Sequence, residues 1–445
     1  MKVKAYQSYQ ESRMEWFSAV PDHWDVLPCR AIVDERNEKN EGLKSDFYLS
    51  LLANIGIIPY EEKGDIGNKK PEDLEKCKLV ERGDLVINSM NYGIGSFGLS
   101  ELSGVCSPVY IVLRPKSEVI EERFALRIFE CRDFQTYAQS FGNGILAHRA
   151  AINWDILKVL RVPVPPRSEQ NLILQYLDQE TGKIDALVAE QERLIALLKE
   201  KRQAVVSQAV TKGLNPNAPM KDSGFEWLGQ VPAHWPCVAL KHLIRSGTSI
   251  SYGIVQPGEA LDDGVPFVQT TNMTGGTFDL ADLQRTSHTI AAAYPRTCLE
   301  GGEVLLGIRA SVGACHVVPL HLRGANLSRG VARIVCDDRL VPDYLVAFLR
   351  SRFAADYWAL HRQGSTFSEV SIETVREISV PVPSIYEQRF LVAAIQARAD
   401  EFEALILEAK RAIALLKERR AALISAAVTG KIDVRSLTPT EQEAA

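Results

Sequence analysis

The sequence lacks the motifs on which several classes of enzyme and membrane protein depend. It contains no G-x-x-x-x-G-K-[ST] phosphate loop, which argues against ATP hydrolysis. Its eight histidines form no H-x-x-x-H or H-E-x-x-H pair, and its eight cysteines form no C-x-x-C pair, so we expect no metal site. The N-terminus lacks a signal-peptide run, and no stretch approaches the roughly 18 to 20 apolar residues of a membrane span. These absences predict a cytoplasmic protein with reduced thiols and no membrane contact.

Two segments resemble catalytic motifs but fit them poorly. GIGSFG at residues 93–98 matches G-x-G-x-x-G, yet the dinucleotide loop requires a following helix, and residues 104–109 read as a turn and a strand. A glycine-rich β-turn is therefore favoured over a cofactor site. NPNAP at residues 215–219 lacks the paired prolines and the aromatic residue of the adenine methyltransferase loop N-P-P-[FY], and it is predicted to be a linker. We predict no catalytic residue in this chain.

The composition is that of an ordinary globular protein, with 46% hydrophobic and 24% charged residues. A length of 445 residues is too great for a single core and predicts two to four domains. The formal net charge of −5 does not decide whether nucleic acid is bound, because a DNA-binding protein needs only a local basic surface.

The strongest signal is an internal duplication. EWFSAVPDHW at residues 15–24 returns as EWLGQVPAHW at 226–235, a shift of 211 positions (226 − 15). VPVP at 162–165 returns at 380–383, and IALLKE at 195–200 returns at 413–418, both with a shift of 218 (380 − 162 and 413 − 195). Three separate phrases in the same order exclude convergence, so each half of the chain is predicted to be one copy of a common unit.

Each copy begins with a globular part. From about 14 to 165 and from about 225 to 383, short β-type runs such as 84–88, 109–113 and 304–307 alternate with turns. Helical stretches are predicted between them, at 124–137 and 344–357. These patterns predict the α+β class.

After each VPVP phrase the pattern changes to that of a long helix. Residues 168–212 and 386–429 contain no proline and almost no glycine, and their apolar residues recur at helical spacing. About 40 residues predict a helix roughly 60 Å long, and the narrow apolar seam is typical of a coiled coil, here an antiparallel pair. The predicted seam consists of Leu177, Ile184, Leu187, Leu194, Leu198, Val205, Ile395, Phe402, Leu405, Leu416 and Leu423.

Polar loops in both copies suggest a recognition surface. Arg, Asn, Ser and Thr are side chains that contact base edges and phosphates, and Arg is the best reader of guanine. For any single residue an ordinary polar turn is the alternative, whereas a binding function is favoured for the surface as a whole. The candidate DNA-binding residues are Lys69, Lys70, Asn88, Ser89, Asn91, Tyr92, Asn143, His148, Arg149, Thr270, Thr271, Asn272, Arg309, Ser311, Asn326, Arg329, Ser365, Thr366 and Ser368.

The phrases E-W-x-x-x-V-P-x-H-W, VPVP followed by Glu-Gln, and AVTGKID at 427–433 together resemble the DNA-specificity (S) subunit of type I restriction-modification enzymes. The resemblance covers essentially the whole chain. It implies two target-recognition domains that each read one half of a bipartite site in double-stranded DNA. It also implies that the helices act as spacer and docking surface for two methyltransferase (M) subunits, which restriction and translocation (R) subunits join. S-adenosylmethionine, ATP and Mg²⁺ are then expected on those partners, and no cofactor on this chain.

The repeat and the resemblance together predict a plan of five segments. These are target-recognition domain 1 at 1–165, the first spacer helix at 166–213, a linker with target-recognition domain 2 at 214–383, the second spacer helix at 384–432, and a tail at 433–445. The globular parts agree in their framework but differ in their loops, which predicts two different half-sites and an asymmetric target. Half-site centres about one helical turn apart, roughly 34 Å, are expected.

Two other interpretations stay open on the sequence alone. A protein–protein scaffold with two diverged binding domains would use the same loops, but its binding would be insensitive to salt. An enzyme that uses the turn at 93–98 would bind a nucleotide, and Gly95→Val would abolish that binding.

Overall fold

The computed structural model describes residues 4–67, 69–142, 151–274, 278–362 and 369–435. The chain divides into two compact units, which we call unit 1 (Met1–Glu192 and Arg411–Ala445) and unit 2 (Arg193–Lys410). Each unit contains a part of both long helices, because these helices cross the two boundaries. Within the described ranges, none of the helices combines the length and the apolar character that crossing a membrane requires.

The strands are short. Those of unit 1 are β1 Tyr9–Met14, β2 Phe17–Pro21, β3 Asp25–Pro28, β4 Val33–Glu35, β5 Leu49–Leu52, β6 Gly56–Pro59, β7 Lys78–Val80, β8 Leu85–Asn88, β9 Phe97–Leu99, β10 Gly104–Cys106, β11 Tyr110–Pro115 and β12 Arg161–Val164. Those of unit 2 are β13 Met220–Asp222, β14 Gln230–Pro232, β15 Cys237–Ala239, β16 Ser251–Tyr252, β17 Val265–Val268, β18 Arg285–Thr286, β19 Val304–Gly307, β20 Cys315–Val317, β21 Asn326–Leu327, β22 Val331–Ile334 and β23 Ser379–Pro381.

Two helices are far longer than the others. In chain order the helices are α1 Cys29–Ile32, α2 Glu122–Glu130, α3 Arg132–Ser140, α4 Trp154–Leu157, α5 Arg167–Lys212, α6 His288–Ala292, α7 Pro342–Leu349, α8 Arg352–His361, α9 Ile372–Glu377 and α10 Ile385–Val428. The predicted α+β class and the two long helices, of 46 and 44 residues, are confirmed.

The framework of the two units is the same. Each has a four-stranded antiparallel sheet, in the order β4-β11-β8-β9 in unit 1 and β16-β22-β19-β20 in unit 2. Each pairs the strand of its VPVP phrase with the strand that follows its His-Trp dipeptide, β12 with β3 and β23 with β15. Hairpin β1–β2 has its counterpart in β13–β14. The predicted duplication is therefore visible in the strand order.

The strands outside that framework differ between the units. Unit 1 adds the antiparallel pairs β5–β6 and β7–β10. Unit 2 adds the three-stranded sheet β18-β17-β21, in which β17 and β21 run parallel. Since connecting loops on a fixed scaffold carry most binding residues, these added strands give the two units different surfaces.

Each unit closes its core with the end of one long helix. Residues 427–428 at the end of α10 are buried in the cluster that contains Trp24 of unit 1. Residues 209–210 at the end of α5 are buried in the cluster that contains Trp235 of unit 2. The AVT phrase, which occurs at residues 209–211 and 427–429, thus belongs in each unit to the same core as the repeated His-Trp phrase.

The two long helices are antiparallel in both units. In unit 1, Nε of Arg420 lies 3.0 Å from Oδ1 of Asp185. In unit 2, Arg202 pairs with Glu403. From one pair to the other, the position on α5 advances by as many residues as the position on α10 goes back. The same antiparallel register therefore holds in both units. Along α5, Leu177, Ile184 and Leu198 of the predicted seam are buried and Val205 is half-buried; along α10, Ile395, Phe402, Leu416 and Leu423 are half-buried.

Three predicted seam residues lie outside the seam. Leu187, Leu194 and Leu405 are exposed by 47%, 42% and 49%. Each lies three residues after a position of the seven-residue seam repeat, which places it about 60° round the helix. The other set of seam positions lies four residues after the first set, which is the opposite direction round the helix. These three leucines are therefore turned away from the seam and face outwards.

Two stretches that were each predicted as one helix are two helices. Residues 124–137 span α2 and α3, which meet at Cys131 in an extended conformation (φ −60°, ψ +119°). Residues 344–357 span α7 and α8, and the side chain of Ser351 caps α8 by accepting the amide of Ala354 (3.3 Å). The extended residue interrupts the helical hydrogen-bond ladder at the same place in both copies.

The first hairpin offers a test of stability. Arg13 has φ +55°, a left-handed conformation that costs a residue with a side chain roughly 1 kcal/mol. The matching position of unit 2 is Gly224, with φ +81°. We expect Arg13→Gly to raise the free energy of unfolding in urea by about 0.5 to 1 kcal/mol, and Gly224→Arg to lower it by a similar amount. A loss of stability in Arg13→Gly would contradict the strain at this turn.

Candidate nucleic-acid interface

The loop after β8 in unit 1 is bonded to neighbouring loops. Oγ of Ser89 donates to the carbonyl oxygen of Val109 (3.0 Å), and the carbonyl oxygen of Ser89 accepts the amide of Ile152 (3.1 Å). The amide of Asn54 donates to the carbonyl oxygen of Gly95 (2.9 Å). These bonds gather residues 53–55, 89–96, 107–109 and 151–153, which we call the unit 1 loop cluster.

Two predicted DNA contacts, one within this cluster and one directly before it, are interior residues. Tyr92 is fully buried, and its hydroxyl donates to the carbonyl oxygen of Phe129 (2.6 Å). Burial raises the pKa of that hydroxyl well above its ordinary value, so it remains a protonated donor. Asn88 is 6% exposed, and its Oδ1 accepts the amide of Met90 (3.1 Å) and shapes the turn. The prediction of a DNA contact is wrong for both side chains.

The glycines of GIGSFG serve the backbone of the same loop. Residues Tyr92–Ile94 form a 3-10 turn that leads into β9, a strand rather than a helix. Gly95 has φ +88°, and a Cβ on Gly98 would lie 3.0 Å from Cα of Gly56 in β6. Glycine thus permits a left-handed turn and the close approach of two strands. The β-turn interpretation is confirmed.

In unit 2 the equivalent loops bring Arg309 close to Thr270 around Gly330, and Arg329 precedes that glycine. Nε of Arg309, which follows β19, lies 3.2 Å from the carboxylate of Glu369. Gly330 packs between neighbours, since a Cβ built on it would lie 2.6 Å from Cγ2 of Thr270 and 3.6 Å from Cβ of Arg309. Arg329, the residue before Gly330, is exposed. We call residues 270–272, 309–311 and 328–330 the unit 2 loop cluster.

The other unit 2 candidates separate into surface and interior residues. Thr271 is exposed, whereas Asn272 and Ser311 are half-buried in the loop cluster. Asn326 is 2% exposed; it accepts the hydroxyl of Thr297 (2.6 Å) and donates to two backbone carbonyls. The prediction of a DNA contact is wrong for Asn326, because all of these bonds hold it inside the unit.

The structure does not bring the lysine pair into the unit 1 loop cluster. Lys69 is exposed, and Nζ of Lys70 lies 3.4 Å from the carbonyl oxygen of Asp46. Among the residues described, no hydrogen bond or ion pair joins either lysine to that cluster. Asn143, His148, Arg149, Ser365, Thr366 and Ser368 lie outside the described residues.

Sequence reasoning missed the apolar side chains of the unit 1 loop cluster. Ile55, Met90, Ile94 and Val109 are between 49% and 66% exposed. The sequence signal that could have indicated them is a large apolar residue standing alone within a polar turn. Because the unit 2 loop cluster instead carries two arginines, the two surfaces differ in chemistry although the framework beneath them is the same.

The glutamine of each Glu-Gln dipeptide fastens a long helix to its unit. Gln170 is fully buried; its amide group donates to the carbonyl oxygens of Val119 (3.1 Å) and Pro165 (2.9 Å), and its oxygen accepts the amide of Glu121 (2.8 Å). Gln388 makes the same three kinds of bond in unit 2, at 2.8 to 2.9 Å. The repeated dipeptide is therefore a structural clamp.

The glutamate of each dipeptide pairs with a repeated histidine. Nε2 of His23 lies 2.8 Å from the carboxylate of Glu169, and Nε2 of His234 lies 3.2 Å from that of Glu387. His23 lies in the turn between β2 and β3, and His234 lies in the matching turn between β14 and β15. Within the described ranges, no group of three or more His, Cys, Asp or Glu side chains is placed to hold a metal ion.

The cysteines are free thiols, and most are buried. Burial raises the pKa of the Cys106 and Cys315 thiols to about 12. Such thiols stay protonated and pack as small apolar groups.

These features define a class of protein in which one framework occurs twice and presents two chemically different loop clusters. Residues 38–195 match the family model described as the type I restriction modification DNA specificity domain. Over those residues the chain is therefore similar to type I restriction modification DNA specificity domains.

Similar proteins cover the remainder of the chain. It is 25% identical over 280 residues to the type I restriction enzyme EcoBI specificity subunit of Escherichia coli. The aligned region is 61% of this chain and 58% of that protein, so the chain matches less than two thirds of that protein's length. It is 23% identical over 437 residues to the putative type I restriction enzyme MjaX specificity subunit of Methanocaldococcus jannaschii, across 94% of this chain and 95% of that protein. A chain solved in work on complex assembly and conformational transition of the type I R-M system shares the fold, with a TM-score of 0.65, 18% identity, and coverage of 93% of this chain and 99% of that one.

Proposed function

We propose that this chain is the sequence-specific DNA-recognition subunit of a type I restriction-modification system, and that each unit reads one half of a bipartite, asymmetric site. The observation that carries the proposal is the contrast between the shared framework and the two different loop clusters. A protein that bound the same ligand twice would need no such divergence. Two different half-sites on one DNA molecule require it.

The chemistry of the clusters indicates what each half-site contains. The guanidinium groups of Arg309 and Arg329 suit guanine O6 and N7 and the neighbouring phosphates. The exposed apolar residues of unit 1 suit the methyl group of thymine, with Ser89 and Asn91 as hydrogen-bonding groups. We therefore expect guanine in the half-site of unit 2 and thymine in that of unit 1.

Two methyltransferase (M) subunits dock, in this proposal, on the long helices, and restriction and translocation (R) subunits join them. Leu187 and Leu405 are equivalent in the two copies, as are Leu197 and Leu415, and all four are 47% to 66% exposed. Leu187 and Leu415 belong to unit 1, and Leu197 and Leu405 belong to unit 2. Exposed large apolar groups mark interaction sites, and their duplication suits two equal partners. S-adenosylmethionine, ATP and Mg²⁺ then belong to those partners.

Methylome sequencing tests this function directly. The chain is co-expressed with its M subunit in a host without adenine methylation, and genomic N6-methyladenine is mapped by long-read sequencing. We expect one new bipartite motif whose two halves differ. The absence of a new bipartite motif would overturn the proposal, and two identical halves would overturn its asymmetric form.

Salt dependence separates DNA recognition from a protein–protein scaffold. Contacts to phosphates release counterions, so the logarithm of DNA affinity should fall steeply with the logarithm of salt concentration. Fluorescence anisotropy with a duplex that carries the mapped motif measures this slope for the assembled complex. A flat dependence would favour the scaffold.

Arg309→Ala tests the reading of one half-site. We expect discrimination at the unit 2 half-site to weaken by about 1 to 3 kcal/mol, roughly 5-fold to 150-fold, while the unit 1 half-site is read normally. Methylation of duplexes with single base changes in each half measures both effects. Arg352→Ala is the control, because that exposed arginine lies on α8 outside the loop cluster. An equal loss at both halves would show that Arg309 is a phosphate or folding contact.

A further inference from the structure

The two units differ at one place where the framework otherwise repeats. In unit 1, two chain segments meet beside Glu169: the segment that leads into β1 and the tail that follows α10. The amide of Asp433 donates to the carbonyl oxygen of Lys4 (2.8 Å). The hydroxyl of Tyr6 donates to the carboxylate of Glu169.

The tail of unit 1 is firmly packed. Val434 is fully buried in the core cluster that contains Tyr6 and Trp24. The guanidinium carbon of Arg435 lies 4.9 Å from the centre of the Tyr6 ring, and Arg435 pairs with Asp433 (2.7 Å). An acidic residue, a β-branched residue and an arginine in succession thus fill the space next to the start of α5.

In unit 2 one segment stands where unit 1 has two. The chain leaves α5 at Gly213 and runs through residues 214–219 directly into β13, so among the described residues a single connecting segment lies here. A hollow of about 410 Å³ lies here, beside the His234–Glu387 pair that corresponds to His23–Glu169. Its lining includes Leu214, Ala218, His234, Tyr386, Glu387 and Phe390.

The walls of this hollow are suited to an apolar residue and a cation. Tyr386 is 83% exposed and Phe390 is 58% exposed, whereas the matching residues of unit 1 are Ser168 and the half-buried Leu172. The side chain of Glu387 is 30% exposed between them. Large exposed rings next to a carboxylate are unfavourable in water and favourable against an arginine with an apolar neighbour.

We propose that this hollow, which we call the tail hollow, binds an extended segment of a partner protein in which a β-branched residue precedes an arginine. The arginine packs on Tyr386 and pairs with Glu387, and the β-branched residue packs on Phe390. Lys212 at the rim complements an acidic residue at the position that Asp433 has in unit 1. Two observations identify the chemistry of the bound segment. Residues 433–435 fill the corresponding space in unit 1, and the charges that line the hollow complement an acidic residue and an arginine.

A peptide with the sequence of residues 430–435, GKIDVR, is the direct probe. Labelled with fluorescein and titrated with the full chain, it should bind saturably, and Tyr386→Ser or Phe390→Ser should weaken binding about tenfold or more. Leu407→Ser is the matched control, because Leu407 is 50% exposed on the same helix but does not line the hollow. Binding that fails to saturate by about 1 mM, or that is unchanged in both hollow variants, overturns the proposal.

Photo-cross-linking tests the partner in the assembled complex. With p-benzoylphenylalanine in place of Tyr386 in the complex purified with the M subunit, mass spectrometry should find a cross-link to one partner segment that contains a β-branched residue followed by arginine. A cross-link to a second copy of this chain, or none to any partner, overturns the assignment. Neither measurement depends on DNA recognition, so its failure leaves the proposed function untouched.

Discussion

Replacing Gln170 with methionine should lower the free energy of unfolding by about 3 to 5 kcal/mol. Methionine has nearly the same length and flexibility but forms none of the three hydrogen bonds of the amide group. The amide of Glu121 and the carbonyl oxygens of Val119 and Pro165 would then lack partners in the interior. Each unpaired buried group costs about 1 to 3 kcal/mol, which outweighs the gain from an apolar side chain.

Hydrogen exchange followed by mass spectrometry locates that loss, and urea denaturation measures its size. Gln170→Met should reduce protection in unit 1, and Gln388→Met should reduce it in unit 2, because each glutamine clamps its own unit. Gln396→Met is the control, since Gln396 is exposed on α10 and should change stability by no more than about 0.5 kcal/mol. Protection equal to that of the unmodified chain in both clamp variants would refute the clamp.

Inserting four residues after Ala189 of α5 should destabilise the helical pair, and a second insertion of four after Leu407 of α10 should restore it. The single insertion moves Arg202 by four positions relative to Glu403 but leaves Asp185 and Arg420 in register. The two ion pairs can then no longer form in the same alignment of α5 against α10. The seam in one unit is displaced by about 6 Å, and exposure of two seam side chains costs roughly 3 to 6 kcal/mol.

The double insertion moves both pairs by the same amount, so thermal unfolding should return close to that of the unmodified chain. Under the proposed function it also lengthens the spacer by about 6 Å, close to two base pairs of DNA. The methylated motif should keep both half-sites and change the distance between them. A changed half-site, or an unchanged distance in the stable double variant, would contradict the role of the helices as spacer.

Much of the fold was predictable from the sequence because its signals are local or repeated. Two runs without proline and with helical spacing of apolar residues are sufficient to predict α5 and α10. The duplication was evident from repeated sequence segments, and the structure shows their roles. The glutamine of Glu-Gln is a clamp, and the AVT phrase packs into the core that contains the His-Trp phrase. The family resemblance depends on those same phrases.

The candidate interface was only partly predictable, because exposure of a loop residue is decided by distant segments. Tyr92 looks like a surface residue in a polar turn, yet its hydroxyl is bound to the carbonyl of Phe129, 37 positions away. Asn88 and Asn326 are interior residues for the same kind of reason. The exposed apolar residues of unit 1, such as Met90, look like core residues by composition alone.

The sequence by itself determined that this protein is a duplicated, α+β chain with two long helices and the phrases of a specificity subunit, because periodicity and repetition need no knowledge of contacts. The tertiary structure alone decided the helix register, the outward position of Leu187, Leu194 and Leu405, and the contrast between the two loop clusters. It also decided that unit 2 has a hollow where unit 1 is filled. Each of these depends on which distant residues share a neighbourhood, and in a folded chain that is set by packing rather than by order along the sequence.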